Sequence, residues 1–140
     1  MANAFYDKWK TSLQIADANV SLDVDTTVNG VYVALVTSAY VFSQTHQFFS
    51  SLSGIVGTNQ RITTPTVGSV GDGIFDGDDL TFPSIATGST VAAIVAYRHN
   101  AGANTTWRLI WYRDTETGLP VVTNGGDITV VFNAAGIHKL

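Results

Sequence analysis

The chain has no cysteine, a single glutamate (Glu116) and three prolines in 140 residues. Without cysteine there can be no disulfide, no thiolate nucleophile and no thiolate-held metal, and nothing argues for an oxidising compartment. Charge is scarce as well. Asp, Glu, Lys and Arg make up 13% of the chain, about half the usual share. The seven Lys and Arg residues are scattered and the formal net charge is −4. Phosphate binding draws on clustered positive charge, so nucleic acid is not an expected partner. Long apolar runs are missing too: Val31–Val36 and Val91–Tyr97 fall far short of the ~20 residues that cross a bilayer, and no membrane association is expected. Phe5 to Trp9 is interrupted by Asp7 and Lys8 with no apolar segment behind it, so no signal peptide is expected and synthesis in the cytoplasm is.

What the chain does have is 45% hydrophobic residues, too many for disorder and enough at this length for one domain with a sizeable core. Phe5, Trp9, Leu13 and Ala16 recur at spacings of four, four and three, which predicts one amphipathic helix over about residues 3–17. Asn3 is its expected N-cap, and Asp7 suits the helix dipole. Such a stripe either packs on the chain's own sheet or docks on a partner. Beyond it the period changes to two. Val20, Leu22 and Val24 alternate with Ser21, Asp23 and Asp25, predicting a strand with one wet face. Val31–Val36 after the Asn29-Gly30 turn and Val91–Tyr97 read as strands covered on both faces. Asn59 to Val67 reads as an edge strand limited by Pro65, Leu80–Phe82 as a short strand, and His99–Asn104 as a polar, flexible connection. Val41–Leu52 has aromatics without a clean period. Arg108–Tyr112 and Ile128–Phe132, with Asn124-Gly-Gly-Asp127 between them, close the pattern. Strands about every ten residues with Gly-rich turns predict a mainly β, single-domain β-sandwich or jelly-roll-like barrel over residues 1–140, with one N-terminal helix.

Candidate chemistry is thin. Asp72, Asp76, Asp78 and Asp79 lie in GDGIFDGDD, a carboxylate density that could serve Ca²⁺. Counting from Asp72, however, the calcium-loop template meets Ile74 at its third position and Pro83 at its twelfth. An acidic turn capping backbone N–H groups is the expected role. His46, His99 and His138 are far apart and have no metalloprotease spacing; no G-x-S-x-G elbow is present. No catalytic residue, cofactor or metal is expected. Trp107, Leu109 and Trp111 fall on one face of a strand, with Arg108, Ile110 and Tyr112 on the other. That pattern suits a core or a subunit interface, with ligand stacking as the alternative.

Several segments carry a resemblance: MANAFYDKWK, VYVALVTSAY, THQFFSSL, DGIFDGDDLTF, LIWYRDTETGLPVVTNGGDITVVFNAAGI and the terminal KL. In this order they resemble a family of small virion structural proteins of tailed bacteriophages, over nearly the whole chain. The resemblance implies a structural component of the virion and no catalytic residues. The expectation drawn from it is a capsid decoration (cement) protein on the outer capsid surface, binding the major capsid protein and self-associating, a trimer being favoured. Phe5, Tyr6, Trp9, Trp107 and Trp111 are the expected partner-contact residues. A tail, head–tail junction or baseplate component, or a carbohydrate-binding module on the virion, are the alternatives.

Overall fold

In the computed structural model, which describes residues 3–140, the elements follow in the order β1 (Ala4–Phe5), α1 (Asp7–Gln14), β2 (Gly30–Val36), β3 (Ile55–Arg61), β4 (Thr66–Val67), β5 (Ile74–Asp76), β6 (Leu80–Phe82), β7 (Thr90–Val91), β8 (Ala93–His99), β9 (Arg108–Arg113), β10 (Val121–Val122), β11 (Ile128–Val130) and β12 (His138–Lys139). Single 3-10 turns sit at Phe49–Ser51 and Asn104–Thr106, and the Leu119–Pro120 bond is cis. The frame is a five-stranded antiparallel sheet in the order β1-β9-β8-β2-β3. Its two end strands are separate edges, so the sheet is open and the fold is sandwich-like rather than a closed barrel. β2 and β8 lie inside the sheet and are buried along nearly their whole length, which is why their sequences run apolar without alternation.

The second layer consists of short antiparallel ladders: β12-β5-β4, β11-β6 and β10-β7. β3 packs against β6 and carries an irregularity opposite Val33–Leu35. Gly57 sits there with φ +70°, and a Cβ on it would lie 2.3 Å from Ile85 Cδ1. Only glycine meets both demands, a left-handed backbone and no side chain in the path of the core. The opposite face of the large sheet is covered by the segment 37–53, whose Tyr40, Phe42 and Phe49 pack on Tyr112, Tyr6 and Tyr97.

Four expectations are corrected. The N-terminal helix spans Asp7–Gln14 rather than about 3–17, and Ala4–Phe5 is a strand paired with Tyr112 and Trp111 on β9. The cap is Tyr6, in an extended conformation and with no side-chain capping bond to the helix. Asn3 Oδ1 accepts instead from the backbone N–H groups of Asp114 and Thr115, because sheet pairing at the start of the chain draws it to the end of β9. The helix ends where Ala16 adopts φ 51°.

The second correction concerns Val20–Asp25. Its alternation is genuine, with Leu22 buried, yet it forms no ladder beyond a single bridge between Asp25 and Gly30. It is held by side chains. Arg98 and Arg108 stand directly opposite each other on β8 and β9, a like-charge pair that needs acceptors. Arg108 meets Asp17 Oδ2 at 2.8 Å and Ser12 Oγ at 3.0 Å, while Arg98 Nε donates to Ser21 O at 2.6 Å and its Nη1 to His99 O. Burial lowers the pKa of Arg98. Two guanidinium groups therefore hold the segment that joins α1 to β2.

Third, the expected edge strand from Asn59 to Val67 is two strands, β3 and β4, parted at Thr64 (φ 51°) and Pro65. The connection after His99 is not loose either. Asn100 is buried, and its side chain donates to Thr106 O while accepting from Gly102 N and Thr106 Oγ1.

Candidate functional site

Trp107 and Trp111 do not share a face. Along β9 the partners run Trp111 to Ala96 and then Leu109 to Tyr97, leaving Ile110 as an extra residue. A bulge of one residue reverses the side of everything beyond it. Leu109 therefore joins Tyr97 on one face, and Trp111 joins Ala96 on the other. Trp107 lies just before the strand and stacks on Tyr97, with centroids 5.8 Å apart and an interplanar angle of 13°. Tyr32 stacks on the same Tyr97 at 5.8 Å, and His99 and Phe49 contact Trp107 at 4.1 and 5.2 Å. The indole N–H is shared between Asn100 O and Gly102 O. Tyr97 is buried, whereas Tyr32, Phe49, His99 and Trp107 are half-buried. Burial raises the Tyr97 pKa, and its hydroxyl accepts from Asn59 Nδ2 at 3.0 Å.

Trp111 is in the core on the other face, 1% exposed, with the Arg113 guanidinium 4.1 Å over its ring. Its indole Nε1 donates to His138 Nδ1 at 3.1 Å. An indole nitrogen can only donate, so Nδ1 is the accepting nitrogen and the neutral ring carries its proton on Nε2. Burial, then the positive charge of Arg113, lower the His138 pKa to about 4, keeping the imidazole neutral. The ring sits between Phe5 and Phe75, each with a centroid 5.1 Å away. Nε2 has no hydrogen-bond partner among the described residues. The residue is also among those lining a cavity of about 270 Å³. Its walls include Leu13, Val20 and Leu22 from the N-terminal segment and Phe75, His138 and Leu140 from the β5–β12 ladder.

The expected contact residues are thereby sorted. Tyr6 and Trp9 are 0% and 1% exposed and belong to the core, as does Trp111. The Tyr6 and Tyr40 hydroxyls form a buried hydrogen bond, with the oxygens 2.9 Å apart, and burial raises the Tyr6 pKa. These three side chains cannot form a contact surface, because the chain's own strands and the segment 37–53 already cover them. Phe5 and Trp107 are half-buried. A paired Trp107/Trp111 sugar platform is ruled out by the bulge.

The acidic loop is used as architecture. Asp78 Oδ2 accepts from Thr63 and Thr64 hydroxyls at 3.0 and 2.8 Å, and Asp79 Oδ1 accepts from Phe132 N at 2.8 Å. Among the described residues no group of three or more His, Cys, Asp or Glu side chains is placed to hold a metal ion. The three histidines have separate settings: His46 Nδ1 meets Tyr40 Oη at 2.8 Å, His99 Nδ1 donates to Val28 O at 2.6 Å, and His138 is in the core. Glu116 pairs with Arg113 at 2.8 Å. The His138 setting escaped sequence reasoning because its partners come from distant elements. The one available signal was a histidine within an apolar end, Ile137 to Leu140.

No protein-family model matches the chain, and comparison with the curated proteins likewise gives no match.

Proposed function

We propose that the chain is a bacteriophage virion structural protein, a decoration (cement) protein that binds the outer capsid surface as a homo-oligomer, a trimer being favoured, and stabilises contacts between major capsid proteins. The observation that carries this reading is the surface. A chain with 13% charged residues leaves Val41, Val122, Val131 and Ile15 each about two-thirds exposed or more. Weak apolar contacts of this kind become strong when one oligomer touches several capsomers at once, since each further contact is made at high effective concentration. The order of segments that resembles small phage virion proteins supports the same reading. With Tyr6, Trp9 and Trp111 in the core, the contact set reduces to Phe5, Trp107 and the exposed aliphatics.

Imaging of virions with this chain labelled is the test. The expected result is label over the outer shell in many copies. Label confined to a ring at the neck, or to the tail, replaces the reading with a junction or tail component. Val41→Asp and Val131→Asp, both at exposed positions, are expected to lower occupancy on purified heads without shifting the melting temperature.

A further inference from the structure

We propose that the cavity between the Leu13–Asp23 segment and the β5–β12 ladder is a binding site for a small neutral molecule with an apolar, ring-sized body and one hydrogen-bond-acceptor oxygen, to which His138 Nε2–H donates. Three observations fix the ligand's chemistry. The first is size. A cavity of about 150 Å³ holds benzene, so about 270 Å³ takes a substituted ring.

The second is lining. Leu13, Val20, Leu22 and Phe75 offer contact area and no polar group. The charged side chain among the lining residues is Asp23, which accepts from Ser21 Oγ; an anion finds no cation there and meets a carboxylate. The third is the unpaired donor. His138 is 8% exposed, its Nδ1 is committed to Trp111, and its Nε2 has no partner among the described residues.

A donor left unpaired away from water is destabilising, a cost that a ligand oxygen removes and a hydrocarbon of the same shape does not. Nε2 is itself closed to water, so the oxygen reaches it only when a wall side chain moves. Leu140, 58% exposed, is among the walls held least. Few convergent polar groups in a mostly apolar hollow are the usual composition of a small-molecule site.

The probes are acetophenone and its near-isostere isopropylbenzene, which lacks the carbonyl, titrated into the full chain and followed by imidazole ¹⁵N and methyl NMR shifts. Acetophenone is expected to shift His138 Nε2 and to bind about tenfold more tightly than the hydrocarbon, the ratio that about 1.4 kcal/mol gives. His138→Phe should abolish that ratio, and Val67→Trp at the exposed edge of the lining should weaken both probes. Because His138→Phe also removes the acceptor for Trp111, Val67→Trp serves as the variant whose fold is not at risk. Equal affinity for the two probes, absence of binding by both, or shifts at residues away from the cavity would overturn the proposal.

Discussion

The two faces of the five-stranded sheet are finished in different ways. On one, Tyr32, Tyr97, Tyr112 and Trp107 pack against Tyr40, Phe42 and Phe49 from an irregular segment, and hydroxyl and indole groups find oxygen partners near the surface. On the other, Val33, Leu35, Ile94 and Trp111 lie beneath short ladders that contribute Phe75, Leu80 and Phe82. A loop can cover a face when the rings it meets are broad and carry polar edges that use backbone carbonyls. An aliphatic face has nothing to offer backbone polar groups, so its cover must satisfy its own by pairing into strands. Ile110 joins the two regimes, since the bulge lets one strand give Trp107 to the first face and Trp111 to the second.

Deleting Ile110 is the severest way to break this division. It restores simple alternation and sends one tryptophan to the wrong side, and the loss should exceed the total stability of an ordinary domain, about 5–15 kcal/mol. The expected outcome is a chain with no cooperative thermal transition. Trp111→Ala, which empties a fully buried site, should cost about 3–5 kcal/mol in urea unfolding. Trp107→Ala on the half-buried face should cost clearly less, and equal losses would show that the two faces are equivalent after all.

Acid sharpens the same contrast. The folded His138 pKa is about 4, against 6.5 unperturbed. Between those values the unfolded chain binds a proton that the folded chain refuses, so stability is full above about pH 6.5 and falls as the pH drops toward 4. The loss in that window is up to about 3 kcal/mol, measured as the difference between urea curves of the wild type and His138→Gln. A wild-type stability no more sensitive to that window than the variant's would contradict the buried neutral imidazole. The smallest effect belongs to Tyr97→Phe, which removes one hydroxyl acceptor from Asn59 and should cost about 1–2 kcal/mol.

How much was legible in the sequence varies by element. Val31–Val36 and Val91–Tyr97 announce buried strands because burial on both faces demands unbroken apolar runs, and they became β2 and most of β7 and β8. The stripe Phe5-Trp9-Leu13 located the helix but overran it. A helical period cannot tell that Phe5 faces Trp111 across a ladder, since pairing with residues a hundred positions away leaves no local trace. Val20–Asp25 shows the converse. Its alternating burial is readable, while the anchor Arg98, whose Nε donates to Ser21 O, is found only once β8 lies beside it. The acidic loop reads as a turn whose carboxylates cap nearby backbone N–H groups, but Asp78 accepts from the Thr63 and Thr64 hydroxyls and Asp79 from the backbone N–H of Phe132, partners that only the folded chain brings near.

By itself the sequence determined a mainly β chain with one helix, few charges and no cysteine chemistry, because periodicity and composition are local properties that burial imposes residue by residue. Tertiary structure alone decided which tryptophan faces which side, which of Phe5, Tyr6, Trp9, Trp107 and Trp111 remain available to a partner, and that His138 meets Trp111 beside a cavity. Those outcomes depend on a one-residue bulge and on contacts between distant strands. Neither alters the local pattern from which a sequence is read.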